Sequence, residues 1–161
     1  MKIDCAKLQW TASGTPRSIE YEDIYHDTAD ALGESRHVFL AANRIAERWD
    51  THAGEFVIAE LGFGSAVNFV QTVALWRAAG CPCALRYLGF ELHPLARADL
   101  AISLARFPEL SEAAESLLAQ YPPAVAGCHR LHLLEGLQLD LYFGDAVEQL
   151  RAHGEGLRGK V

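Results

Sequence analysis

Glu55-Phe56-Val57-Ile58-Ala59-Glu60-Leu61-Gly62-Phe63-Gly64-Ser65-Ala66-Val67 is the stretch that decides the fold. Its first half is a short apolar run that stops at glycines, the pattern of a strand buried in a parallel sheet. Two glycines then let the backbone turn sharply and approach a ligand closely. Val67 to Ala79 is apolar on most sides, so it reads as a helix buried under a sheet, with Gly80 as its C-terminal stop. The unit is strand, glycine loop, helix.

Working outward, Ala84 to Phe90 reads as a second apolar strand, closed by Glu91. Pro94 suits the first turn of a following helix. In that helix Leu100, Leu104 and Phe107 mark the apolar face and Asp99, Ser103 and Arg106 the polar one. Ser111 to Gln120 reads as an acidic-faced helix, broken by Tyr121-Pro122-Pro123. From His129 the period changes to two. Leu131 and Leu133, then Leu137, Leu139, Leu141 and Phe143, alternate with polar residues around Glu135-Gly136, which predicts a hairpin ending at Gly144-Asp145.

Upstream, Arg36 to Trp49 carries Val38, Leu40, Ala41, Ile45 and Trp49 at helical spacing, while residues 1 to 35 read as irregular, with a turn at Gly14-Thr15-Pro16. The expected organisation is an N-terminal irregular and helical extension, 1–54, followed by an α/β sheet domain, 55–161. Strand–helix alternation implies right-handed crossovers, and ligands in such sheets bind outside the carboxyl ends of the strands. Gly62, Gly64, Glu91 and Asp145 fall at such ends in separate connections.

Composition narrows the function. The chain has 161 residues, half of them hydrophobic and 22% charged, which is one ordinary globular domain. The longest uncharged run, Leu61 to Trp76, is 16 residues and holds two glycines, Asn68 and Gln71, too short and polar to span a bilayer. Asp4 stands where a signal peptide needs apolar residues, so a cytoplasmic protein with no membrane partner is expected. The net charge of −7 disfavours non-specific nucleic-acid binding. Eleven of the fourteen Lys and Arg are Arg, without clustering. The four cysteines lack CxxC spacing, and Cys128-His129-x-x-His132 is a metal half-site with no second pair of ligands. Reduced thiols and no metal are expected.

The loop has the form acid-x-Gly-x-Gly-x-small. A dinucleotide fold asks for Gly or Ala where Val67 stands, and Glu60 would repel a pyrophosphate. The pattern resembles the first motif of class I S-adenosylmethionine-dependent methyltransferases, where an acid before the glycines answers a cofactor that carries a sulfonium. Glu91 is placed to accept from both hydroxyls of a ribose. Asn68 could meet the methionine end of the cofactor or cap the helix. Asp145, with the backbone N–H of Ala146, matches the acid that reads adenine in that superfamily.

Further blocks follow in order: Gly14-Thr15-Pro16, Asp23-Ile24-Tyr25, Arg36-His37-Val38-Phe39-Leu40, Glu60-Leu61-Gly62-Phe63-Gly64, Asn68-Phe69, Phe90-Glu91, Pro94-Leu95, Arg97-Ala98-Asp99-Leu100, Gly127-Cys128-His129-Arg130-Leu131 and Tyr142-Phe143-Gly144-Asp145. Together they resemble the N-terminal methyltransferase domain of the tRNA 5-methylaminomethyl-2-thiouridine biosynthesis bifunctional protein family. The resemblance implies a Rossmann-like sheet with flanking helices and cofactor contacts from Glu60, Gly62, Phe63, Gly64, Asn68, Glu91, Asp145 and Ala146. It implies methylation of the aminomethyl group of a tRNA wobble uridine with S-adenosylmethionine. FAD would serve only a separate oxidoreductase domain or partner. Tyr25 could line the methyl-transfer site or be a packed aromatic.

The family's domain continues through a fourth strand and an acidic motif. The sequence reaches only Gly159-Lys160-Val161, where that strand is expected to begin. The sheet is therefore expected to be truncated before strand 4, with its first strand at an edge. The alternative readings are a non-catalytic nucleoside-binding or interaction module, a nicotinamide enzyme, which Glu60 and Val67 oppose, and a hydrolase, which lacks a GxSxG elbow.

Overall fold

The computed structural model describes residues 1–12, 14–25 and 30–153. Near the N-terminus two short strands, β1 (Leu8–Trp10) and β2 (Pro16–Ser18), pair antiparallel, with Trp10 opposite Pro16. The expected irregular segment thus contains a small hairpin. Its connection holds Gly14 at φ 77°, and the N–H of Thr11 donates to the carbonyl of Thr15 at 3.0 Å. Three-residue strands are too short to show a period of two in sequence.

The expected helix at Arg36–Trp49 is helical but neither continuous nor purely α. It starts earlier, at α1 (Ala31–Glu34), where Asp30 Oδ1 accepts from the N–H of Gly33 at 2.8 Å. It runs through a π-helical stretch, Ser35–Ala41, and breaks at Arg44, which is left-handed at φ 53°. It resumes as α2 (Ile45–Trp49). The wider π turn changes which residues face inward: Leu40, Ile45 and Trp49 are buried, whereas Val38 is 61% exposed.

The main sheet follows the expected order. β3 (Glu55–Leu61) leads to α3 (Val67–Ala78), then to β4 (Ala84–Glu91), α4 (Arg97–Leu104), a 3-10 turn at Pro108–Leu110 and α5 (Ser111–Gln120). The hairpin β5 (Gly127–Leu134) and β6 (Leu137–Phe143) and the final helix α6 (Ala146–His153) complete it. The strand order is β3-β4-β6-β5; β3, β4 and β6 are parallel and β5 is antiparallel. Among the described residues β3 pairs on one side only, with β4. This is the Rossmann-like α/β arrangement with the hairpin ahead of Asp145. The expected start of a fourth strand lies outside the described residues.

Register puts Phe56, Leu85 and Leu137 in one row and Ile58, Tyr87 and Leu139 in the next. This face packs against α3, α4 and α5 in one large core. Nearly the whole circumference of α3 is buried, including Phe69, Val70, Thr72, Val73 and Trp76, as its all-round apolar sequence requires. The opposite face carries a smaller cluster of Leu88, Phe90 and Tyr142, with the last two rings stacked at 4.7 Å. There Asp140 is fully buried between the guanidinium groups of Arg86 and Arg130.

Two local expectations need correction. Pro94 precedes α4 by three residues rather than sitting in its first turn; its carbonyl accepts from the N–H of Ala6 at 3.1 Å and ties down the N-terminal segment. Ser103, assigned to the polar face of α4, is fully buried, because α5 and the N-terminal hairpin region cover that side too. No helix among the described residues is long and apolar enough to cross a membrane.

Candidate functional site

β3 ends at Leu61 and the chain turns into α3 through three left-handed residues: Gly62 at φ 82°, Gly64 at 52° and Ala66 at 62°. Such angles suit glycine, and Ala66 holds one at a cost of about 1 kcal/mol. The loop is stitched to the end of β4. The N–H groups of Gly62 and Phe63 both donate to the carbonyl of Phe90 at 2.9 Å, and that of Gly64 donates to Glu91 Oε2 at 2.8 Å. A Cβ on Gly62 would meet nothing within 4 Å, so open space lies above the loop. A Cβ on Gly64 would lie 3.1 Å from Cδ1 of Tyr25.

That space is a cavity of about 720 Å³ at the carboxyl ends of β3 and β4. Its described wall carries four carboxylates, Asp23, Glu34, Glu60 and Glu91, and no Lys, Arg or His. Positive charge is therefore favoured in it and phosphate is not.

Glu60 is the deepest of these acids, 6% exposed. Oε1 accepts from Asn68 Nδ2 at 2.7 Å and Oε2 from the Tyr87 hydroxyl at 2.8 Å. Burial raises its pKa to about 7, against the pull of those two hydrogen bonds, with Glu91 adding to the rise. Asn68 therefore does not cap α3; it orients Glu60 from the first turn of that helix. Glu91 holds the N–H of Gly64 with one oxygen and that of His93, at 2.9 Å, with the other. A carboxylate has about four acceptor positions, so capacity for ligand hydroxyls remains. Tyr25, against the glycine loop, has its pKa pushed up to about 12 by burial and then by Glu91, Tyr21 and Glu20. It stays protonated near neutral pH and is no proton acceptor there.

The cavity gathers seven of the sequence-derived residues: Tyr25, Glu60, Gly62, Phe63, Gly64, Asn68 and Glu91. Phe63 takes part chiefly through backbone. Its ring is 2% exposed and packs against Phe69 and Tyr87, at centroid distances of 5.8 and 6.5 Å. Asp145 and Ala146 are not on the cavity wall. Asp145 is exposed and caps α6, accepting from the N–H of Glu148 at 2.9 Å. It still belongs to the same sheet edge, because the adjacent Gly144 donates its N–H to the carbonyl of Glu91 at 2.9 Å.

The sequence reading missed Tyr87, Glu34 and Ser35. Tyr87 was legible only as an inward strand position in phase with Leu85; its link to Glu60 is a tertiary contact. Glu34 and Ser35 reach the wall through the helical start at Ala31. Among the described residues no group of three or more His, Cys, Asp or Glu is arranged to hold a metal.

No family model matches the chain. It is 46% identical over 155 residues to the tRNA 5-methylaminomethyl-2-thiouridine biosynthesis bifunctional protein MnmC of Saccharophagus degradans, covering 91% of this chain and 22% of that protein. The proteins of the same name from Aeromonas hydrophila and Aeromonas salmonicida are 42% and 39% identical, over 90% and 97% of this chain and 23% and 24% of theirs. The chain thus spans about a quarter of the length of these relatives. Among solved structures, MNMC2 from Aquifex aeolicus superposes with a TM-score of 0.65 at 23% identity, covering 92% of this chain and 45% of that one. At that identity the likeness concerns the fold.

Proposed function

The chain is a relative of one stretch of the tRNA 5-methylaminomethyl-2-thiouridine biosynthesis bifunctional proteins, and from that kinship we propose that it supplies the cofactor-binding part of an S-adenosylmethionine-dependent tRNA methyltransferase. The substrate is the 5-aminomethyl group of 2-thiouridine at the wobble position, and the protein works in the cytoplasm. An FAD-dependent oxidoreductase domain or partner would prepare that amine. The relatives favour this reading over a non-catalytic nucleoside-binding module.

The observation that carries the reading is the cavity above the glycine loop, whose described wall carries four carboxylates and no Lys, Arg or His. It fits a cofactor that combines an uncharged adenosine with a methionine end of net positive charge, a sulfonium and an ammonium against one carboxylate. It does not fit the pyrophosphate of a nicotinamide cofactor. Gly62 and Gly64 leave room for close approach, Glu91 would hold the ribose hydroxyls, and Glu60 with Asn68 would face the cationic end. Asp145 and the Ala146 N–H lie at the neighbouring strand end, where an adenine amine could be reached. Residues 1–54 act as an extension that walls the cavity of the 55–161 unit.

When bound, the cofactor supplies an activated methyl group to the substrate nitrogen. What the residues of this chain contribute is alignment and charge. The glycine loop and Glu91 fix the nucleoside, and the carboxylates stabilise the cation before transfer. Tyr25, protonated and pressed against Gly64, offers an aromatic wall rather than a base.

The test is transfer of labelled methyl groups from S-adenosylmethionine to tRNA isolated from cells that lack this modification. Label at the wobble uridine, with a full-length protein containing this chain, is the expected result. No incorporation under cofactor saturation would contradict the reading.

A further inference from the structure

Tyr87 stands outside the set of cofactor contacts, and its side chain is fully buried. Its hydroxyl is committed to Oε2 of Glu60 at 2.8 Å, while Asn68 Nδ2 holds Oε1 at 2.7 Å. Both partners are neutral, and the carboxyl they hold is 6% exposed at the base of the cavity. The two partners differ in one respect. The amide N–H of Asn68 only donates, whereas a phenol donates to an ionised carboxyl or accepts from a protonated one. Tyr87 therefore keeps hold of Glu60 in either charge state. The other titratable groups on the described wall are Glu91 on β4, Glu34 in α1, and Tyr21, Asp23 and Tyr25 ahead of α1. None of these supplies a counter-charge, and Glu91 opposes ionisation of Glu60.

We propose that the Tyr87–Glu60 pair lets the cavity tell a sulfonium from a thioether: Glu60 gives up a proton when the charged cofactor enters and takes one back when the methyl group has left, with Tyr87 as the positioning residue. The inference rests on the methyltransferase reading and goes beyond it, because it concerns the exchange of product for cofactor rather than where either sits. S-adenosylmethionine and S-adenosylhomocysteine differ by one methyl group and one positive charge. When the sulfonium arrives, the proton of Glu60 goes to solvent and the carboxylate balances the cation. Transfer of the methyl group removes that cation, and a buried carboxylate without a counter-charge is the disfavoured state. Glu60 then regains a proton from solvent. The preference for the cofactor over its product therefore grows as the pH rises. Burial, which raises the pKa of Glu60 to about 7, places this exchange near neutral pH.

Calorimetric titration of the full chain with S-adenosylmethionine and with S-adenosylhomocysteine at pH 6, 7 and 8 tests the proposal. Each titration is repeated in two buffers of different ionisation enthalpy, which counts the protons exchanged. The amino groups of the ligands titrate too. Glu60→Gln keeps their titration and removes that of the carboxyl, so the difference between wild type and variant isolates Glu60. Between pH 6 and pH 8 the wild-type preference for S-adenosylmethionine should grow about tenfold more than that of the variant, as one proton released from a group of pKa about 7 requires. At pH 7 the wild type should release more protons to S-adenosylmethionine than to S-adenosylhomocysteine. Tyr87→Phe removes a donor to the ionised carboxyl and should move this pH profile upward. Weaker binding with an unmoved profile would make Tyr87 structural only. Asn68→Ala removes the other donor from a half-buried site and carries the same test where Tyr87→Phe costs the fold. If wild type and Glu60→Gln show the same pH dependence, the proposal is wrong and the methyltransferase reading stands. If neither adenosine compound binds the wild type at any pH, both fall together.

Discussion

The phenol of Tyr87, in the middle of β4, donates to Oε2 of Glu60 on β3 across 2.8 Å, while Asn68 donates to the other oxygen from α3. Register places Glu60 opposite Gly89, so the two partners meet diagonally on the inner face of the sheet. Both donors are neutral. The carboxyl at the base of the cavity is held in place without a counter-ion, so a cationic ligand beside it would favour its ionised form.

This arrangement makes stability depend on pH in a definite sense. The pKa of Glu60 is raised from its ordinary 4.5 to about 7, so between those values the folded chain binds a proton that the unfolded chain has released. The favourable contribution is complete below about pH 4.5 and is lost as the pH rises to about 7. At most it amounts to roughly 3 kcal/mol. Glu60→Gln should abolish this slope. In urea unfolding at pH 5 and pH 8, the wild type should lose more stability between the two than the variant does; parallel losses would contradict the account.

Asp140 should show the opposite sense. Burial pushes its pKa up, but hydrogen bonds from Arg130 and Arg86, at 2.8 and 2.9 Å, outweigh it and hold the carboxylate below its ordinary 3.8. Its stabilisation is present above that value and is lost as the pH falls further. Asp140→Asn should cost about 3 kcal/mol at neutral pH, because it leaves two guanidinium groups without their shared anion. Thermal melts at pH 7 and pH 3 should show the deficit shrinking in acid.

Glu91→Gln tests a dual role. Each carboxylate oxygen accepts a backbone N–H, from Gly64 and from His93. The amide can replace only one of those acceptors. The variant should lose about 1–3 kcal/mol of stability without any ligand and bind S-adenosylhomocysteine more weakly. A melting temperature equal to the wild type would show that Glu91 does not hold the glycine loop.

Gly89→Ala probes the packing of Phe63. A Cβ there would lie 2.5 Å from Cδ2 of Phe63 and 3.0 Å from Cδ2 of Leu141. Overpacking should destabilise the chain by about 1–3 kcal/mol and displace the glycine loop, seen as loss of near-UV circular dichroism from the Phe63–Tyr87 contact.

The strands and α3 were legible because each apolar run ends at a residue with its own geometric reason, as Glu55–Leu61 does at Gly62 and Val67–Ala78 does just before Gly80. The π-helical stretch was not, because one extra residue per turn shifts Val38 outward while leaving local composition unchanged. The glycine loop, Glu60 and Glu91 were legible by type and spacing as a group at the strand ends, where the cavity lies. Tyr87 was not, since its importance lies in a contact across strands. Asp145 shows the converse. Its sequence position matched an adenine reader, and its side chain caps α6 beyond the cavity wall.

The central claim is that this cavity takes a cationic adenosine cofactor rather than a dinucleotide. Isothermal titration of the chain with S-adenosylmethionine and with NAD, in the same buffer at low ionic strength, measures it directly. The four wall carboxylates predict saturable binding of S-adenosylmethionine and weaker or undetectable binding of NAD. Tighter binding of NAD would contradict the account.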